Sequence, residues 1–133
     1  MVALRRLALL SLIAYWAFIF TLTHLPPGNL PHVPVTDKAQ HFLAYGLLAG
    51  LLYVTIWLGN PRRRYLGVTV WGIGLFYGFV DEQLQAAVGR AAELADWLAD
   101  AAAVTTAVLV LSSVRWWWER REAARPNVIV TPP

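Results

Sequence analysis

No cysteine occurs in the 133 residues, so disulfides and thiolate metal sites are excluded. Charge is also scarce: Asp, Glu, Lys and Arg make up only 14% of the chain, against about 25% in an average soluble domain. Between Arg6 and Asp37 there is no charged side chain at all. Catalytic signatures are missing too. There is no H-E-x-x-H helix, no Gly-rich phosphate loop and no G-x-S-x-G elbow, and Ser11 and Thr23 stand in no hydroxyl-nucleophile motif. What fills the chain instead is apolar: 58% hydrophobic residues, 13% aromatics and a mean hydropathy of +0.50. A chain this length holds one domain, and this composition places that domain in a membrane.

The apolar residues fall into four segments, read against the roughly 20 residues that cross a bilayer. Helices are expected over residues 4–25, 38–58, 65–85 and 94–118, with a polar, partly helical connection over 82–95. The first segment carries Arg5 and Arg6 at its start but no small-x-small cleavage site after it, so it reads as an uncleaved helix rather than a signal peptide. "HLPPGNLPHVP" interrupts the helical pattern with Pro26, Pro27, Pro31 and Pro34. "GNPRRR" ends the second segment, and the tail from 122 to 133 reads as mobile. The expected fold is all-α, a polytopic membrane bundle of four transmembrane helices in a single domain over residues 1–121.

Charge placement sets an orientation. With the helices alternating in direction, Arg5, Arg6, Arg62, Arg63, Arg64, Arg115, Arg120, Arg121 and Arg125 share one side, leaving only Lys38 and Arg90 on the other. The positive-inside rule makes the arginine side cytoplasmic, with both termini there. The pI near 9.7 is then a topology signal and not a nucleic-acid footprint. Trp116, Trp117 and Trp118, beside Arg115 and Arg120, suit an interfacial aromatic belt. The acids run the other way: Asp37, Asp81, Glu82, Glu93, Asp96 and Asp100 lie on the outer side. Two G-x-x-x-G stretches, Gly46 to Gly50 and Gly74 to Gly78, predict close helix approach.

Depth gives the outer acids their interest. The uncharged stretch from Ala101 to Val114 makes about 21 Å of helix, less than the roughly 30 Å of hydrocarbon, so Asp100 falls at or below the outer boundary. Carboxylates facing lipid there are costly, so they are expected to converge on a hydrated, protein-lined pocket. Spacing agrees. Asp37, His41 and Tyr45 stand at i, i+4 and i+8; Asp81 and Gln85 are four apart, as are Asp96 and Asp100. Asp81 and Glu82 point about 100° apart on a helix and are expected to take different roles.

The binding residues singled out are Asp37, Lys38, His41, Tyr45, Asp81, Glu82, Gln85, Arg90, Asp96 and Asp100, with His41, Asp81 and Glu82 as catalytic candidates. Arg90 reads either as a planar clamp on a phosphate or carboxylate or as a counter-charge to Asp81, Glu82 or Asp96. Lys38 reads as snorkelling or salt-bridged, and His24 and His32 as solvated loop residues. No metal ligands are assigned, since no dense ligand motif is present, although acids around a histidine are compatible with a divalent cation.

"DKAQHFLAYGLL" and "YGFVDEQLQAAVGRAAELADWLAD", in this order and separation, resemble the VanZ-like family of small bacterial membrane proteins, over roughly residues 15–115. The family takes its name from an accessory protein of glycopeptide resistance associated with teicoplanin. Family members often carry Asn and Gly after the second Asp of the last helix, where this chain has Ala101 to Ala103. The resemblance implies a multi-pass protein of the bacterial cytoplasmic membrane that affects the cell surface or its antibiotic response. Expected partners are membrane lipid, a cell-wall precursor or a lipoglycopeptide, and not nucleic acid; a homo-oligomer is compatible. Two functions are carried forward: a module that binds an envelope-lipid or cell-wall-precursor head group, and an intramembrane hydrolase or transferase acting on a polar lipid. A proton-coupled transporter is disfavoured, because the inner halves of the helices offer no polar relay.

Overall fold

A computed structural model describes residues 2–25, 34–90 and 93–124. They form four helices: α1 Val2–Thr23, α2 Asp37–Gly59, α3 Leu66–Ala87 and α4 Leu94–Ala123. Three of them, α1, α2 and α4, are long and apolar enough to cross a membrane. α3 is not among them, its apolar run ending in Asp81, Glu82, Gln83 and Gln85 in the last turns.

The helix ends follow from local chemistry. Thr36, in an extended conformation, caps α2, its hydroxyl accepting from the Ala39 N–H at 3.4 Å, and Asp37 places negative charge in the first turn. The C-terminus of α3 closes in a Schellman motif. The Arg90 N–H reaches back to the Gln85 carbonyl and the Gly89 N–H to the Ala86 carbonyl, at 3.2 and 3.3 Å. Gly89 takes φ +80°, which a side chain would resist, and the turn places Arg90 over the helix end. The connection expected over 82–95 is therefore helical through Ala87 and turned from Val88 to Arg90; residues 91 and 92 lie outside the described residues.

α4 runs five residues past its expected end. Side-chain pairs one turn apart carry it on. Arg120 and Arg121 lie over the rings of Trp116 and Trp117 at 4.0 and 3.7 Å, and Arg115 and Trp118 donate to Glu119 and Glu122. The tail expected to be mobile from 122 is thus helical at Glu122 and Ala123, and residues 125–133 lie outside the described residues, as do Pro26, Pro27, Pro31 and His32.

α2 packs most extensively on α4, and α3 also packs on α4; α1 leans on α2 and barely meets α3. Tyr45, Ala49, Tyr53, Leu66, Val70, Ala103 and Val104 form the apolar core between α2, α3 and α4. Ile19 is the single buried residue of α1, which is tied in by the Tyr15 hydroxyl donating to the Ala44 carbonyl at 3.1 Å.

The two predicted close approaches differ. A Cβ at Gly74 would stand 2.7 and 2.9 Å from the methyls of Val104, and one at Gly78 would stand 3.4 Å from Asp100 Oδ2 and Tyr45 Cε1. At Gly46 the nearest atom would be the Ala103 Cβ at an ordinary 3.7 Å, and at Gly50 nothing lies within 4 Å. The second motif is a tight helix contact and the first is not.

Polar groups sort to the two ends. At one, a Cβ on Gly59 would lie 3.1 Å from the Arg5 guanidinium, and Arg115 donates to the Arg63 carbonyl. At the other lie Lys38, Arg90 and the acids. Between them, Phe18, Leu43, Phe76, Leu98 and Leu109 point outward. Buried polar residues beneath exposed apolar ones invert the usual arrangement in water.

Candidate functional site

Three helices each deliver polar side chains to the same end, and the resulting cluster is enclosed. His41 (6% exposed), Asp81 (1%), Glu82 (4%), Gln85, Asp96 and Asp100 are all buried. On α2 the period of four places His41 and Tyr45 on one inward face, their rings near parallel at 8° with centroids 6.3 Å apart. Asp37, one turn earlier, stays exposed.

His41 Nδ1 faces two carboxylates from different helices. It is 3.0 Å from Asp100 Oδ1 on α4, a hydrogen bond in which the ring N–H donates, and 3.9 Å from Glu82 Oε1 on α3. Glu82 is held at its other oxygen, where Oε2 accepts the backbone N–H of Glu93 at 3.1 Å. That bond ties the end of α3 to the start of α4.

Asp81 looks elsewhere. Its Oδ2 accepts from Gln85 Nε2 at 2.8 Å, and its Oδ1 from the hydroxyls of Thr23 and Tyr77 at 3.4 and 3.5 Å. His24 Nδ1 lies 3.9 Å from the same oxygen. The two adjacent acids of α3 thus serve different partners, as their 100° separation requires. Tyr45 stands between the two sets, stacked on Tyr77 with centroids 5.8 Å apart.

The rim is paired by charge. Lys38 Nζ donates to Asp96 Oδ1 at 3.1 Å and Glu93 Oε2 at 3.3 Å, so it is the salt-bridged residue and holds α2 to α4. Arg90 donates to the Thr23 carbonyl at 3.4 Å, and its other terminal nitrogen lies 3.9 Å from Asp37 Oδ1. Among the described residues it is paired with neither Asp81, Glu82 nor Asp96.

All ten binding residues singled out in the sequence lie at this end of the molecule, but not as one group. His41, Glu82 and Asp100 form a buried trio, Asp81 and Gln85 a second set, Lys38 and Asp96 a bridge, and Arg90 and Asp37 a looser outer pair. Sequence reasoning missed three neighbours. Tyr77 stands one turn before Asp81, so helical spacing alone reveals it. Thr23 and His24 close α1, and no local pattern pairs them with Asp81, 58 residues away for Thr23. The histidine expected to be solvated is instead half-buried, stacked on Phe20 with its Nδ1–H donating to the Phe20 carbonyl at 2.8 Å.

No protein-family model, curated protein or solved structure matches this chain.

Proposed function

We propose that the chain is a multi-pass protein of the bacterial cytoplasmic membrane, of VanZ-like type. Its outward-facing acid, histidine and arginine cluster binds the head group of an envelope lipid or cell-wall precursor and thereby influences the response to teicoplanin-type glycopeptides. One observation carries the reading: six ionisable or amide side chains are buried at one end of helices whose outward surfaces are apolar. In this reading four spans form a bundle, α3 crossing with the others because its partners cover its polar turns. Arg90 anchors the anionic part of the head group with its planar fork. The acids accept hydrogen bonds from hydroxyl or amine groups on the same ligand. The family assignment rests on the two motifs and their spacing.

The orientation has a direct test, made clean by the absence of native cysteine. In right-side-out vesicles, Glu93→Cys reacts with an impermeant maleimide and Arg62→Cys reacts only after lysis. The reverse pattern removes the outward-facing site.

Head-group binding is measured on detergent-purified protein against an anionic phospholipid, a polyprenyl-phosphate-linked precursor and an uncharged diacylglycerol. Wild type is expected to bind one of the two phosphate-bearing lipids, and Arg90→Gln to weaken that binding about tenfold, the scale of one lost charge-assisted contact. Binding unchanged in Arg90→Gln and in Asp81→Asn removes the proposal.

The His41–Asp100 hydrogen bond supports a second reading, an intramembrane hydrolase or transferase. A carboxylate that fixes an imidazole prepares it to take a proton from a nucleophile. The same assay separates the two, since the binding module returns its lipid unchanged and the enzyme turns it over in a His41-dependent way.

A further inference from the structure

We propose that His41, Glu82 and Asp100 form a binding site for one divalent cation of the zinc or manganese type. One ligand atom from each of the three side chains lies within 4.8 Å of the other two, and all three residues are buried. His41 Nδ1 stands 3.0 and 3.9 Å from its two carboxylate neighbours. A cation with bonds of about 2.1 Å holds adjacent donor atoms about 3.0–3.5 Å apart, so the two histidine-to-carboxylate distances are within about 1 Å of closure and the carboxylate pair, inside 4.8 Å, within about 2 Å. Each ligand comes from a different helix, and those helices pack on one another.

Two oxygens in the trio lack any hydrogen-bond partner: Glu82 Oε1, which faces His41, and Asp100 Oδ2. A buried oxygen left unpaired is unfavourable by about 1–3 kcal/mol, more when charged, so a cation there removes the penalty at Glu82 Oε1, and also at Asp100 Oδ2 where that carboxylate binds through both oxygens. The rest of the shell is already in place. The Glu93 N–H fixes Glu82 through its other oxygen, orienting the free one inward. Gly78 lies beside Asp100 Oδ2, where a Cβ would stand in ordinary contact at 3.4 Å.

Charge balance favours a dication. Lys38 neutralises Asp96, and Asp81 is held by Gln85, Tyr77 and Thr23. Glu82 and Asp100 have only the imidazole. An imidazolium leaves one negative charge buried and uncompensated, whereas a neutral imidazole and a divalent ion leave none. The imidazole donor selects a first-row transition cation or zinc over magnesium and calcium, which prefer oxygen alone. The competing trio of Asp37, His41 and Asp96 uses the same histidine, but Asp37 is exposed and Asp96 is occupied by Lys38.

The site stands independently of the head-group reading, and its test uses the metal alone. Purified full-length protein is stripped with chelator, incubated with Zn2+, Mn2+ or Mg2+, desalted and assayed for bound metal. Wild type is expected to retain about one equivalent of zinc or manganese and at least about tenfold less magnesium, with its unfolding midpoint lowered by chelation and restored by the ion. Glu82→Gln and Asp100→Asn each reduce retention about tenfold or more, and Arg90→Gln leaves it unchanged. Retention of both zinc and manganese below about half an equivalent in wild type, or full retention in Glu82→Gln, overturns the site. Cobalt bound to wild type gives a readout that needs no variant to fold: a spectrum shifted from the aqua ion supports the site, and the aqua-ion spectrum overturns it.

Discussion

His41→Ala is expected to lower the unfolding free energy by about 3–5 kcal/mol, the scale for removing one partner from a buried charged pair. The imidazole is the shared neighbour of Asp100 and Glu82, and both are buried. Alanine takes away the donor at 3.0 Å and leaves two carboxylates facing each other without a counter-group. Most of the loss comes from those stranded acids and not from the missing ring, which gives the prediction a second part. Adding Asp100→Ala to His41→Ala is expected to recover part of the stability, because one of the stranded charges goes with it. Asp100→Asn alone should be mild, about 1 kcal/mol, since its amide oxygen still accepts from His41. Unfolding of chelated protein, followed by circular dichroism in mixed micelles, measures all four proteins without a contribution from bound metal. A His41→Ala protein as stable as wild type would mean that the acids are not held by this ring.

How much of this was legible in the sequence depended on whether the relevant contact was local. The inward stripe of α2 was legible, because His41 and Tyr45 obey helical spacing, and so was the divergence of Asp81 from Glu82. Asp96 and Asp100 stand one turn apart on α4, as their spacing of four requires. What spacing does not encode is which stripe meets which. It did not show that Asp100 and Asp96 divide between His41 and Lys38, or that the end of α1 brings Thr23 and His24 to Asp81. The expected protein-lined gathering of acids takes the form of closely packed polar side chains. There each buried acid has at least one partner on a neighbouring residue or helix while Glu82 Oε1 and Asp100 Oδ2 stay unpaired, which a count of charges along the chain does not reveal. The two G-x-x-x-G stretches make the same point, being alike in sequence and unlike in contact. Only Gly74 and Gly78 face large groups on the neighbouring helix, and that depends on the rotation of α3 about its axis.

Gly74→Ala is expected to destabilise the protein by about 1–3 kcal/mol, the range for overpacking a tight contact. The sign matters more than the size. In a helix interior, alanine in place of glycine is ordinarily favourable by about 0.5–1 kcal/mol, through lower backbone entropy in the unfolded chain. Here the new methyl meets Val104 Cγ1 at 2.7 Å and Cγ2 at 2.9 Å, well inside the optimal carbon separation of about 3.5–4.0 Å. Val104 cannot swing clear, because a β-branched side chain in a helix has essentially one rotamer. It is also fully enclosed in the core, so the strain falls on the spacing between α3 and α4. Gly50→Ala and Gly72→Ala meet nothing within 4 Å and should follow the ordinary rule, gaining stability. Adding Val104→Ala to Gly74→Ala should restore much of the loss by clearing the two methyls. The effect reaches the polar cluster as well. Gly78 lies one turn along the same face, against Asp100, and Glu82 follows one turn later. Prising α3 from α4 at Gly74 therefore draws Glu82 away from His41 and Asp100, and metal retention and head-group binding should fall together with stability. A Gly74→Ala protein that unfolds no earlier than wild type would show that the two helices are not in contact here, and the trio that depends on their approach would lose its frame.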